Sequence, residues 1–241
     1  MIKNLLKKYS LPSTALKIFN KELQQFKALN GDGRFLNDAI EKFPCLNDKT
    51  TSTPFDAHYI YHPAWAARII KDISPKKHID ISSTLHFCSI LSAFISTEFY
   101  DFRPAVLDLD NLLSRAADLT NLPFTTNSIE SLSCMHTLEH IGLGRYGDLL
   151  DPEGDLKAIN ELKRVCAVKG NLLVVIPVGK KKIMFNAHRI YAPVEFTNYF
   201  DGFKLMEFSL ITDDTRFIRN ASFEEASEQN YGCGCYWFVK N

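Results

Sequence analysis

The feature that most constrains this chain's fold is a change of pattern near residue 76. From there on, short apolar or β-prone runs fall at 78–81, 97–100, 112–116, 129–135, 172–177, 204–211 and 233–239, with helical segments between most of them. Such alternation argues a mostly parallel sheet covered on both faces, because parallel neighbours need a crossover and a helix supplies it. Between the last two runs no segment clearly reads as a helix, so an antiparallel terminal pair is expected there. The helix before the fifth run is the best marked. Asp151 is placed to cap it and Pro152 to open it, and Leu156, Ile159, Leu162 and Val165 form an apolar stripe. Gly170 lies just past its end.

Upstream the pattern is helical. Leu16, Phe19, Leu23, Phe26 and Leu29 recur at helical spacing over residues 12–29, and Asn30-Gly31-Asp32-Gly33 stops that helix. A polar stretch, "NDKTTSTP", then leads to "FDAHYIYHPAWAARIIKDI", where Pro63 is expected to open a helix with Trp65, Ile69 and Ile70 on its apolar side. The division implied is a helical extension over 1–54 and an α/β domain over 55–241.

Charge narrows the function classes. Lysine plus arginine and aspartate plus glutamate balance at 28 each. With neither a basic excess nor a basic stripe, nucleic acid is not expected as a partner. No segment approaches the roughly 20 apolar residues that span a bilayer, and the N-terminus lacks a signal-peptide core. A cytoplasmic protein with no membrane partner is expected. The six scattered cysteines read as small buried hydrophobes of a reducing compartment.

In open α/β sheets ligands bind beyond the carboxyl ends of the strands. Three acids stand there: Asp80 in "HIDISS", Asp101 in "EFYDFRP" and Asp118 in "ADLTNLPF". An acid beyond the second strand suits the two hydroxyls of a ribose, and one after the third suits an adenine amino group. Asp101 lies about 20 residues beyond the first turn, the usual spacing for a ribose acid; Asp108 is its rival. The first turn itself reads Ser82-Ser83-Thr84, where such domains carry glycines. A Cβ at a position needing positive φ costs about 1–2 kcal/mol and would crowd a bound cofactor.

Other motifs are weaker. His136, Glu139 and His140 spell H-x-x-E-H, a zinc-peptidase pattern. They come straight off an apolar run and glycines follow, so no long helix holds them and no metal is expected. "GLGRYG" at 142–147 is formally G-x-G-x-x-G, but the next helix starts too late for a dinucleotide fingerprint. It reads as a mobile glycine loop that offers Arg145 and Tyr146 to a substrate. "FNAHRIYAP" brings His188 and Arg189 to the same sheet edge as His140. There is no G-x-S-x-G elbow, P-loop or kinase set.

In this order "HIDISS", "EFYDFRP", "ADLTNLPFTTNSIESLSCMHTLEHIG" and "LKRVCAVKGNLLVVIPVG" resemble a class I S-adenosylmethionine-dependent methyltransferase. A closer similarity is to an uncharacterised subgroup, a domain of unknown function, with the hallmark "LEHIGLGRYGD" followed by "FNAHRIY". The resemblance covers about residues 55–241. It implies a Rossmann-like seven-stranded sheet in the order 3-2-1-4-5-7-6 with strand 7 antiparallel. It implies S-adenosylmethionine contacts at Asp80, Ile81, Ser82, Ser83, Asp101, Asp118, Leu119 and His136. The subgroup's turn resembles D-I-G-S; this chain has Asp80-Ile81-Ser82-Ser83. The expected reaction is O-methylation of a small-molecule or glycan hydroxyl, with His140 as base, His188 as second choice for it, and Arg145, Tyr146 and Arg189 orienting the acceptor. "HYIYHPAW", with Tyr59, His62 and Trp65, is a lid or a packed helix. The alternative is a methyltransferase-like scaffold that has lost catalysis. A homodimer is compatible with either.

Overall fold

The computed structural model describes residues 13–30 and 34–241. The expected helix stop at Gly31–Gly33 and residues 1–12 lie outside the described residues. The chain divides into two units, Met1–Pro54 and Phe55–Asn241. In the first, α1 (Ser13–Asn30) carries the apolar spacing noted above. The Asn30 amide donates to Phe35 O at 2.7 Å and to Asn37 Oδ1 at 3.0 Å, so the chain folds back at the helix end.

The second unit begins with α2 (Ala57–Ile73). Pro63 does not open this helix; it lies inside it. Asp56 starts the helix earlier, its carboxylate accepting from Tyr59 N at 3.3 Å. Pro63 has no N–H to donate, so the carbonyl of Tyr59 loses its usual helical donor.

The strands are β1 (Lys77–Ile81), β2 (Ser96–Asp101), β3 (Leu112–Ala116), β4 (Ile129–Met135), β5 (Cys166–Val178), β6 (Lys182–Met184), β7 (His188–Ile190), β8 (Phe203–Ile211), β9 (Phe217–Ile218) and β10 (Gly232–Lys240). Eight form one sheet in the order β3-β2-β1-β4-β5-β10-β8-β9. β1 to β5 pair in parallel, and β10 runs antiparallel to both β5 and β8. The expected seven-strand order is therefore present, extended at one edge by the short β9. β6 and β7 form a separate hairpin in the stretch that includes "FNAHRIYAP", where no strand was expected.

Helices cover both faces. α3 (Leu85–Leu91) follows β1, α4 (Gly154–Val165) precedes β5, and α5 (Pro193–Asn198) and α6 (Phe223–Ser227) flank β8. α6 fills the connection expected to be free of helix; Ser222 Oγ caps it by accepting from Glu225 N at 3.1 Å. Adjacent strand residues point to opposite faces. Cys134 and Val174 face the core under α4 and α5, with Leu162, Phe196 and Tyr236. Met135 and Val175 face the core under α2 and α3, with Trp65, Ile70 and Phe87.

Two local expectations shift. α4 starts at Gly154, and Asp151 instead accepts from Glu153 N at 3.0 Å, one turn ahead of the helix. Gly170 does lie past the end of α4, but already inside β5, after Lys169 at φ 63°, where the pairing with β4 slips. A Cβ at Gly170 would lie 2.7 Å from Ala167 O, so glycine is needed at this bulge. Among the described residues no helix is long and apolar enough to cross a membrane.

Candidate functional site

The turn after β1 is built from hydroxyls. Ser82 adopts φ 57°, the left-handed region that glycine enters freely. Its N–H donates to Tyr100 O at 2.8 Å and its Oγ donates to the same oxygen at 3.2 Å. Ser83 Oγ accepts from Met135 N at 3.0 Å, and Thr137 Oγ1 donates to Ser82 O at 2.9 Å. Thr84 Oγ1 caps α3 by accepting from Phe87 N at 3.3 Å. These side chains bind the turn to β2 and β4, and the Ser82 hydroxyl is turned back toward Tyr100.

Asp80 lies beneath this turn and is fully buried. Its Oδ1 accepts from Ser83 N at 3.0 Å, and Ser133 Oγ donates to its Oδ2. Ser133 Oγ also meets His78 Nε2 at 2.8 Å, and His78 Nδ1 meets Ser131 Oγ at 2.8 Å. Burial raises the Asp80 carboxyl to about 6 against the pull of these bonds. Burial lowers His78 to about 3, so it is neutral.

Beyond β4, His136 takes φ 56° and its Nδ1 pairs with Glu139 Oε1 at 2.8 Å. Residues Leu138–His140 make a single helical turn, not the long helix a zinc-peptidase motif requires. His140 Nδ1 donates to Ala187 O at 2.5 Å, which leaves Nε2 as the nitrogen able to accept a proton. Its Nε2 lies 3.8 Å from Glu139 Oε1. The following glycine loop is not loose. The Asp148 carboxylate accepts from Gly142 N at 2.7 Å, Gly144 N at 3.3 Å and Tyr146 N at 3.2 Å. Burial would raise Asp148, and these N–H groups outweigh it and hold it below the usual carboxylate range. The Tyr146 ring of this loop has two guanidinium groups over it, Arg103 at 4.7 Å and Arg145 at 5.1 Å from its centroid.

Two cavities meet over these strand ends. One, of about 580 Å³, has Asp101, Asp118, Leu119 and Arg103 in its wall. The other, of about 640 Å³, has Ser83, Glu139, Arg145, His188, Asn186 and Tyr231. Ser82, His136, His140 and Tyr146 border both. Of the residues singled out in the sequence, the structure gathers Ser82, Ser83, Asp101, Asp118, Leu119, His136, His140, Arg145, Tyr146 and His188 here. Burial lowers His188 from its ordinary value; Glu139 opposes this and Arg145 adds to it.

Others stand elsewhere. Asp80 and Ile81 are buried under the turn and line neither cavity; they position it. Arg189 is also buried. Its guanidinium donates to Ile141 O at 2.6 Å and Pro152 O at 3.2 Å and lies 3.5 Å from Asp155 Oδ2, so it braces the loop and does not meet a ligand. Asp108 is exposed on the connection before β3, outside both cavities. Of the lid segment, Tyr59 borders the second cavity. His62 is buried, and Trp65 is buried with its Nε1 donating to Glu207 Oε1 at 2.9 Å. Sequence reading missed Tyr231, Asn186 and Arg103. Only Arg103 carried a signal, two positions after Asp101 in "DFRP".

A family described as "Caenorhabditis protein of unknown function, DUF268" matches residues 117–231, a little under half of the chain. An uncharacterised protein of Methanocaldococcus jannaschii is 32% identical over 121 residues, 44% of this chain and 48% of that protein. The chain thus spans about half the length of that curated relative. Among solved structures, a candidate sarcosine dimethylglycine methyltransferase of Galdieria sulphuraria is similar with a TM-score of 0.52 at 11% identity, over 74% of this chain and 84% of the other. A candidate methyltransferase of Bacillus halodurans C-125 is similar with a TM-score of 0.51 at 12% identity, over 73% and 99%. The chain therefore shares a Rossmann-like fold with these two proteins.

Proposed function

We propose that the protein is an S-adenosylmethionine-dependent methyltransferase acting on a hydroxyl of a small-molecule or glycan acceptor in the cytoplasm. The observation that carries this reading is the pair of joined cavities sharing Ser82, His136, His140 and Tyr146. The first fits the adenosine portion. Its volume of about 580 Å³ lies in the range of small-molecule sites. Asp101 stands at the end of β2 with Oδ1 held by Arg103 N at 2.7 Å, which orients the carboxylate toward ribose hydroxyls. Asp118 is likewise oriented by Thr120 N at 2.8 Å, beside the apolar Leu119.

When bound, S-adenosylmethionine supplies a methyl group already activated on sulfur. The chain's share is orientation and proton removal. His140 is the base of this reading: Ala187 O fixes its tautomer and leaves Nε2 to take the acceptor's proton. Arg145 and Tyr146 orient the acceptor, and His188 lies across the cavity from His140 with ring centroids 6.5 Å apart. A scaffold without catalysis had its chief support in the glycine-free turn. That support weakens, because Ser82 reaches the required left-handed conformation and its hydroxyl points back to Tyr100.

Calorimetry with S-adenosylmethionine and S-adenosylhomocysteine tests the reading. Binding is expected, with Asp101→Ala weakening it tenfold or more, about 1.4 kcal/mol, and Asp108→Ala changing it little. No binding near millimolar ligand refutes the proposal. Once an acceptor turns over, His140→Ala should abolish turnover and leave cofactor affinity in place; unchanged turnover would move the base to His188.

A further inference from the structure

His136 is the meeting point of two chemistries. Its Nδ1 is held by Glu139 Oε1 at 2.8 Å, which leaves Nε2 as the free ring nitrogen. That nitrogen does not face the cavities alone. It lies 3.4 Å from the Sγ of Cys233, a buried residue at the start of β10. His58, on the first turn of α2, stacks on His136 with ring centroids 5.5 Å apart and planes at 11°. One donor atom from each of His58, His136 and Cys233 falls within 4.8 Å of the other two.

Two imidazoles and a thiolate are the donor types that zinc-class ions select. Bonds of about 2.1 Å to nitrogen and 2.3 Å to sulfur at a tetrahedral angle put N and S about 3.6 Å apart; here they are 3.4 Å apart. Charge points the same way. Glu139 is almost wholly buried, and among the described residues its Oε2 has no hydrogen-bond partner and no lysine or arginine pairs with it. A buried carboxylate on the outer nitrogen of a ligating histidine is the usual second layer of a metal site. A divalent cation next to a thiolate and this carboxylate would balance their charges.

We propose that His58, His136 and Cys233 bind a divalent transition-metal ion of the zinc class, with Glu139 orienting His136. The set differs from the H-x-x-E-H pattern of the sequence and departs from the expectation of no metal. His136 alone is shared as a ligand, and His140 stays on Ala187 O. The ion would tie the first turn of α2 to the ends of β4 and β10, three segments far apart in sequence. Its open side would face the cavity that Tyr59, His136 and Tyr231 border. The proposal does not depend on methyl transfer.

The rival is a plain hydrogen-bond cluster, with Cys233 Sγ bonded to His136 Nε2 and no ion between them. Cobalt(II) titration of chelator-stripped full-length protein separates the two. Expected are one equivalent bound per chain, a thiolate-to-cobalt charge-transfer band in the near ultraviolet, and its loss when zinc is added. Zinc at about a hundredfold over its Kd should raise Tm by about 5–10 °C. Cys233→Ser should abolish the charge-transfer band. His58→Gln, at a half-buried position on a helix start where folding is little disturbed, should weaken cobalt binding tenfold or more. His86→Ala, an exposed histidine of α3, should change nothing. No cobalt uptake overturns the proposal. So does uptake without a thiolate band, or full affinity in folded His58→Gln.

Discussion

Replacing Asp80 by asparagine should make the protein more stable at neutral pH and leave it nearly unchanged in acid. Asp80 is completely buried, and burial lifts its carboxyl from 3.8 to about 6. A folded-state value above the unfolded one means that the folded chain holds the proton more tightly. Between about pH 4 and pH 6 stability therefore falls as pH rises, and above pH 6 the whole penalty is present. A shift of about 2 units corresponds to about 3 kcal/mol. Asparagine removes that charge and keeps the geometry. Its carbonyl can accept from Ser83 N as Oδ1 does, and its amide can donate to Ser133 Oγ, whose own proton can turn to His78 Nε2. The neutral His78 tolerates this reversal because its other nitrogen meets Ser131 Oγ, which donates or accepts. Urea unfolding of both proteins from pH 4 to pH 8 gives the test. The difference curve isolates Asp80 from His58 and His78, whose lowered values, about 4 and about 3, act with the opposite sign. Their contributions are present above about pH 6.5 and fade as pH falls toward those folded values. A gain for Asp80→Asn of about 3 kcal/mol at pH 8 that vanishes near pH 4 is expected. A loss at pH 8, or a difference flat across pH, would refute the burial reasoning.

Ser82→Gly should leave stability within about 1 kcal/mol, because relief of about 1–2 kcal/mol of left-handed strain offsets glycine's greater unfolded freedom. Cofactor affinity should change by less than about threefold, since the strain is carried by the folded chain before any ligand binds. A tenfold gain in calorimetry would mean that the serine crowds the ligand. Ser82→Val should cost more than about 2 kcal/mol in a thermal melt, because β-branched side chains resist positive φ. Gly142→Ala should cost about 3 kcal/mol or more. Its φ is 79° and a new Cβ would lie 2.0 Å from Asp151 O; an unchanged Tm would show that the loop can relax freely.

Much of the fold was legible because its signals are local. Strand alternation and the apolar stripe of α4 each follow from side-chain periodicity within a few residues, whereas the five-residue α6 before β10 is too short to show one. Element starts were less legible, since they turned on single contacts. Asp56 starts α2 ahead of Pro63, and the Asp151 turn delays α4 to Gly154. The glycine loop read as mobile, but the carboxylate that ties it, Asp148, lies just outside the motif and acts only once the chain curls round it.

By itself the sequence determined the α/β sheet, its strand order through resemblance, and the acids that the strand ends present. It could do so because these depend on periodicity and on position along each strand. Only the tertiary structure decided how those acids divide. Asp101 and Asp118 face a cavity, while Asp80 is enclosed by Ser83, Ser133 and the sheet. It also decided that Arg189 braces a loop and that His58, His136 and Cys233 meet. The reason is distance along the chain. Whether a polar side chain meets a ligand, a neighbour or another polar group depends on what other segments bring to it, and no local pattern encodes that.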